Sequence, residues 1–249
     1  MNLKRMLSYV RQAVDDYGLL EVHDQVAVGL SGGKDSLVLL CALKKLQQFY
    51  PNHFELAAFT VHLGFEGLHF EHLQKYCEQL EVPYEVITTE ISDIVFEQEK
   101  PKNPCSLCAR LRKGALNQAA LRYGCNKIAY AHHRDDLIET MMLSLFYEGR
   151  FHSFSPKTDL ERSGLTLIRP LIYVPEVEII GFQNKYQLPV VSNLCPADGN
   201  TKRQYVKELL KRLNQENPGI KDRMFAAIMS ASFEDWPNSS LSLYNQNRQ

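Results

Sequence analysis

The stretch that most constrains this chain is Val26-Ala27-Val28-Gly29-Leu30-Ser31-Gly32-Gly33-Lys34-Asp35-Ser36, where an apolar run stops in a short glycine-containing loop. The apolar run suits a buried strand, and the Gly32-Gly33 pair lets the backbone turn tightly. Leu37-Val38-Leu39-Leu40 then opens the apolar face of a helix expected to reach about Tyr50. A helix that begins on such a loop leaves its first amides and the positive end of its dipole unpaired, and both attract anions. Ser31, Gly32, Gly33 and Ser36 are therefore expected to cradle phosphates, with Lys34 adding a point charge and Asp35 holding a magnesium ion. The spacing is not that of the ATPase P-loop, which separates its glycine and its Lys-Ser/Thr differently.

Strand and helix alternate from this unit onward. Residues 54–62, 84–88, 127–131 and 165–168 read as further strands, and helices are expected at about 3–17, 68–80, 105–123, 137–146, 175–186, 201–214 and 218–230. Single-helix connections between strands imply parallel pairing and a right-handed crossover. The expected fold is α/β: a doubly wound, mostly parallel, Rossmann-like sheet of about five strands with a helical C-terminal extension. Residues 89–104 and 148–164 read as loops, residues 1–235 as one domain, and residues 236–249, rich in Asn, Ser and Gln, as a flexible tail.

The fourth strand ends in His132-His133-Arg134-Asp135-Asp136. In a doubly wound sheet, ligands bind beyond the carboxyl ends of the strands where strand order reverses. If the first and fourth strands are neighbours, His132, His133 and Asp135 stand opposite the phosphate loop. His132 is then a candidate ATP contact, and His133 and Asp135 join Lys34 and Asp35 as candidate catalytic groups. The competing reading is that Asp135 or Asp136 only caps the following helix.

No apolar run approaches a membrane span, and Met1 to Arg5 leads into an amphipathic helix rather than a signal peptide, so a cytoplasmic protein is expected. In a reducing compartment the 6 cysteines do not imply disulfides. Cys41, Cys77 and Cys125 lie in apolar surroundings and read as core. Cys105 and Cys108 form a Cys-x-x-Cys at a helix entry with Arg110, Arg112 and Lys113 close behind, surroundings that favour thiolates. For that spacing a metal site and a redox pair both remain open. His62, His69 and His72 invite a metal reading, but His69 and His72 sit at i and i+3 on an amphipathic helix without an obvious third ligand.

The formal net charge is only -1, yet no Asp or Glu occurs between Lys100 and Arg134, a window that also holds Lys102, Arg122 and Lys127. A second basic cluster, Lys202, Arg203, Lys207, Lys211 and Arg212, contains the single acid Glu208. Such local patches suit a nucleic-acid backbone, with solvated helix faces as the plainer alternative. Arg110, Arg112, Lys113, Lys202 and Arg203 are the candidate contacts.

Ser31-Gly32-Gly33-Lys34-Asp35-Ser36 resembles the PP-loop of the N-type ATP pyrophosphatases. Together with Asn103-Pro104-Cys105 to Arg112, His132 to Asp136, Phe146-Tyr147-x-Gly149, Arg169-Pro170-Leu171 and Asn193-Leu194-Cys195, it resembles the tRNA 2-thiocytidine synthetase family over about residues 3–235. The resemblance implies an ATP- and magnesium-dependent enzyme that adenylates C2 of a tRNA cytidine, at position 32 of the anticodon loop, and exchanges its oxygen for sulfur. It further implies a [4Fe-4S] cluster on Cys105, Cys108 and Cys195. The partners it implies are tRNA and a sulfide or persulfide donor such as a cysteine desulfurase, with no membrane and with a homodimer left open. Val61-His62-Leu63 and Pro196-Ala197-Asp198-Gly199 depart from the family pattern. The rivals are a PP-loop sulfurtransferase acting on another base or a small molecule, and a metal- and nucleotide-binding protein without turnover.

Overall fold

A computed structural model of the chain describes residues 1–65, 67, 69–99, 101, 104–191 and 202–231. The amino-terminal helix α1 (Leu3–Tyr17) begins where the Asn2 side chain accepts the Arg5 amide at 2.9 Å and ends at Gly18 in the left-handed region. It is followed by β1 (Asp24–Gly29), α2 (Lys34–Gln47), β2 (Phe54–His62), α3 (Glu71–Gln79) and β3 (Tyr84–Thr88). The second half carries the short α4 (Ile91–Asp93), a π-helical turn over Ile94–Glu99, α5 (Pro104–Arg122), β4 (Lys127–Ala129) and α6 (Arg134–Glu148). Then come β5 (Lys157–Leu160), β6 (Leu165–Ile168), α7 (Glu176–Tyr186), α8 (Lys202–Glu216) and α9 (Ile220–Ser230).

The strands form one sheet in the order β3-β2-β1-β4-β6-β5, parallel except for the antiparallel pair of β5 with β6. β1 sits between β2 and β4, with Val28 opposite Ala58 on one side and Ala129 on the other. Strand order therefore reverses between β1 and β4, and a crevice is required beyond their carboxyl ends.

The apolar run of β1 is explained by burial on both faces. Val26 and Val28 join a core with Leu56 and Ala58 of β2, whereas Ala27 joins Ala57, Phe59 and Ile128 on the opposite face. The first core is filled by α1, α2, α6 and α7 through Met6, Val10, Leu37, Leu40, Leu137, Ile138, Ile179 and Phe182. The second is covered by α5 through Leu116, Ala119 and Ala120. Val206 and Leu210 of α8 and Ile228 of α9 also enter the first core, so the carboxyl-terminal helices are packed onto the sheet domain. Burying one such Leu or Val contributes roughly 1.5–3 kcal/mol.

Two readings need correction. Residues 148–164 contain β5 rather than loop alone, so the sheet has six strands among the described residues, against the about five expected. Lys157-Thr158-Asp159-Leu160 is polar because it is an edge strand, and its hairpin closes through the Ser163 and Gly164 amides on the Leu160 carbonyl. Residues 89–104, also taken as a loop, contain α4 and the π-helical turn, anchored by buried Ile91 and Val95. α3 starts at Glu71, later than expected. α6 starts earlier, at Arg134, so the polar string at 134–136 is its first turn.

Candidate active site

The phosphate loop is held by its own hydroxyls and by two neighbours. Leu30 donates to the Phe59 carbonyl at 2.8 Å, and Thr60 Oγ1 donates to the Leu30 carbonyl at 2.7 Å, fixing the exit from β1 against β2. Ser36 Oγ accepts the Ser31 amide at 3.2 Å and donates to the Gly33 carbonyl at 2.9 Å, while Ser31 Oγ accepts the Gly33 amide at 3.3 Å. Gly32 has φ +79, and a Cβ there would lie 3.0 Å from Val191, whose amide donates to the Gly32 carbonyl at 3.0 Å. Only glycine meets both demands. α2 begins at Gly33 without any side-chain cap, so its leading amides and dipole remain available to an anion.

Charges converge on this loop from distant parts of the chain. Lys34 Nζ is 3.1 Å from Asp35 and 3.1 Å from Glu176, and Glu176 is 2.7 Å from Lys207. Burial disfavours the Lys34 ammonium, but the Asp35 and Glu176 carboxylates outweigh that and raise its pKa. For Glu176, burial is likewise outweighed by Lys207 and then Lys34, and its pKa falls. Asp35 Oδ1 lies 3.1 Å from Lys34 Nζ but takes no well-aligned hydrogen bond, and the ring Nε2 of His133 stands 3.8 Å away. A carboxylate oxygen whose close partner is only the mobile Lys34 ammonium, next to an anion-binding helix end, fits an oxygen-seeking cation such as magnesium.

The strand-end residues divide into different roles. His133 caps α6: its Nδ1 accepts the Asp136 amide at 3.4 Å and its own amide donates to Asp136 Oδ2 at 3.0 Å. Its Nε2 lies 3.4 Å from Asp136 Oδ2 and 3.8 Å from Asp35 Oδ1. Asp135, a candidate catalytic group from the sequence, has both oxygens engaged. Oδ2 accepts the Glu176 amide at 2.7 Å, capping α7, and Oδ1 accepts Lys221 Nζ at 2.9 Å. Burial alone would raise its pKa, but these donors lower it. The geometry makes Asp135 a joint between α6, α7 and α9.

His132 accepts a hydrogen bond at Nδ1 from Arg169 Nε at 3.2 Å, and its ring lies 4.9 Å from that of Phe154. Burial, then the Arg169 charge, pushes the His132 pKa down to about 4 against the opposing pull of Asp136. The imidazole is neutral at physiological pH, with its proton on Nε2. Arg169 is itself buried. It donates to the Ser155 carbonyl and to Thr158 Oγ1 at 3.3 Å, stacks over Phe154 at 4.9 Å, and has no carboxylate beside it among the described residues. Sequence reasoning missed Arg169, Glu176, Lys207 and Lys221 as site residues. Arg169-Pro170-Leu171 and the Pro175 helix start carried a local signal, but the partners lie far apart in the chain.

Cys105 and Cys108 lie in the first turn of α5, three residues apart and so on one helical face, the former exposed and the latter half-buried. Arg110, Arg112 and Lys113 are exposed along the same helix. The Arg112 charge is felt at Tyr130 and that of Lys113 at His132, so the basic face reaches the crevice floor. In the second cluster, Lys202 Nζ sits 4.2 Å from the Tyr147 ring centroid. Arg203 instead pairs with Glu139 at 3.3 Å and Asp136 at 3.5 Å and donates to Thr140 at 3.1 Å. Its charge is largely used in joining α8 to α6. Cys195, Lys100 and Lys102 lie outside the described residues.

A model of the PP-loop domain matches residues 3–213. The tRNA-cytidine(32) 2-sulfurtransferase of Pelobacter propionicus is 40% identical over 228 residues, covering 90% of this chain and 85% of that protein. That of Coxiella burnetii is 38% identical over 227 residues, covering 90% and 89%. Among solved structures, the U34-tRNA thiolase NcsA from Methanococcus maripaludis with its [4Fe-4S] cluster aligns with a TM-score of 0.73 at 26% identity, over 91% of this chain and 77% of that one. An NH3-dependent NAD synthetase from Campylobacter jejuni shares the fold, with a TM-score of 0.51 at 17% identity over 91% and 90%. The chain belongs to the PP-loop domain family and, within it, to the family of tRNA-cytidine(32) 2-sulfurtransferases.

Proposed function

We propose that this protein is an ATP-dependent tRNA sulfurtransferase that converts a cytidine, position 32 of the anticodon loop, into 2-thiocytidine. The observation that carries the reading is the uncapped start of α2, set with the Lys34–Asp35 pair at the crevice between β1 and β4. In the first half-reaction the C2 oxygen of the base attacks the α-phosphorus of ATP, the bond to the bridging oxygen breaks, and pyrophosphate leaves. The loop amides and Lys34 stabilise the charge that builds on that leaving group. Asp35 would hold magnesium, which supplies further neutralisation of the phosphates. His132, neutral and fixed as an Nε2–H donor by Arg169, offers one hydrogen bond to the nucleotide or the base. In the second half-reaction sulfur attacks C2 and AMP departs with the former base oxygen.

Sulfur chemistry belongs to Cys105, Cys108 and Cys195. The first two share a helical face at the entry of α5, and Val191, docked on the phosphate loop, precedes Cys195 by only a few residues. Three cysteines fit a [4Fe-4S] cluster, which when bound supplies one iron without a protein ligand and a site for sulfur. Anaerobically purified protein is expected to be brown with about four irons per chain, and colourless protein holding one zinc would contradict this.

Mass spectrometry of tRNA nucleosides from a deletion strain tests the whole reading. Loss of 2-thiocytidine alone, restored by the parent gene, is expected. Loss of a thiouridine instead would favour action on another base, as in the NcsA thiolase, and an unchanged profile would remove the tRNA reading.

A further inference from the structure

The carboxyl end of α6 and the turn after it expose an unbroken run, Leu145 to His152. Within it Leu145, Phe146, Tyr147 and Phe151 are 46%, 47%, 46% and 57% exposed. Four large apolar side chains in one short surface segment is more than scattered exposure produces, and such patches mark interaction sites. The segment is also cationic. Arg150 and His152 are exposed within it, and Lys202 lies over the Tyr147 ring. Its one acid, Glu148, accepts the Ser144 hydroxyl at 3.0 Å.

The run leads directly into the crevice. Ser153 Oγ donates to the Leu137 carbonyl at 3.0 Å, tying the chain back onto α6, and the next residue, Phe154, stacks on His132 under the Arg169 guanidinium. A surface strip of aromatic rings with interleaved cations thus continues into an aromatic, cationic wall at the strand ends. An enzyme that modifies a base edge must draw that base out of its stack, which leaves the flanking bases unpaired at the mouth of the pocket. Aromatic rings beside cations match such bases and their phosphates.

We propose that Leu145 to His152, with Lys202 over Tyr147, forms a stacking platform for the unpaired RNA bases that flank the one entering the crevice. This rests on the tRNA reading above. The rings of the platform act by base stacking, so they add affinity for a looped RNA without themselves adding phosphate contacts.

Anisotropy with a labelled hairpin copying an anticodon arm, and with a fully paired RNA duplex of the same stem, tests this on the full-length protein. Phe146→Ala/Phe151→Ala is expected to weaken hairpin binding on the order of a hundredfold, each lost stacking contact being worth roughly tenfold. Duplex binding, the salt slope and the melting temperature should not change, and Phe146→Tyr/Phe151→Tyr should restore affinity. Hairpin affinity unchanged or increased in the alanine variant would overturn the proposal, the latter pointing to residues 232–249 as the occupant. Equal losses on hairpin and duplex would overturn it too, as would conversion of a parent dimer to a monomer in RNA-free light scattering, which would make the strip a contact between copies. A parent protein that binds neither RNA would remove the tRNA reading as well, whereas a parent that binds and a variant that binds equally would remove only the platform.

Discussion

At His132 a histidine is kept neutral by what surrounds it, and that has a consequence for pH. Its folded pKa, lowered to about 4 by burial and then Arg169, lies below the ordinary 6.5. Between those values the unfolded chain binds the extra proton, so the contribution to stability is fully present above about pH 6.5 and is lost as pH falls toward 4. The stability difference between the parent and His132→Asn should therefore shrink over that window, as read by urea unfolding at several pH values. A difference that stays constant from pH 7 to about 4 would contradict the neutral assignment. Ser31 to Ser36 was legible from sequence because its chemistry is local: hydroxyls, amides and a turn within one short stretch. Glu176, Lys207 and Lys221 were not, since a charge on a helix reads as solvated until the fold brings it to Lys34 or Asp135. The structural partners of Asp135 were hidden for the same reason. Its sequence neighbours suggest a strand-end site, whereas its two bonding partners come from α7 and α9.

The β1–loop–α2 unit depends on one backbone angle. Gly32→Ala places a Cβ at a left-handed φ of +79 and 3.0 Å from Val191, so loop and segment must separate. The expected cost is about 1–2 kcal/mol from the conformation alone, with loss of pyrophosphate release larger than the loss of stability. Thermal melts beside a pyrophosphate assay check this, and a variant with parental activity would show that Val191 need not dock there. Among elements, strands buried on both faces and helices with long apolar stripes announce themselves, as β1, β2 and α1 did. β5 did not, because an exposed edge strand gains its order from pairing with Leu165–Ile168 rather than from its own apolar residues. The π-helical turn at Ile94–Glu99 has no periodic signature to find.

Across the whole molecule, a near-neutral total conceals a basic face on α5. Glu substitution at Arg110, Arg112 and Lys113 should weaken tRNA binding and flatten its dependence on salt, each lost phosphate contact lowering the logarithmic slope by about one. Unchanged affinity across salt would reject this face. Arg203 belongs to a different experiment, because its pairing with Glu139 joins α8 to α6 and its reversal would disturb folding. In the proposed mechanism ATP chemistry rests on the first quarter of the chain and sulfur chemistry on the cysteines at the start of α5, so the two half-reactions should fail separately. The most direct measurement is parallel assay of pyrophosphate release and 2-thiocytidine formation by anaerobically purified protein. Lys34→Ala should retain its iron yet lose both products on the order of a hundredfold, and Cys105→Ala should lose iron and 2-thiocytidine while tRNA-dependent pyrophosphate release persists. An iron-loaded Lys34→Ala protein that makes 2-thiocytidine at the parental rate would contradict the account.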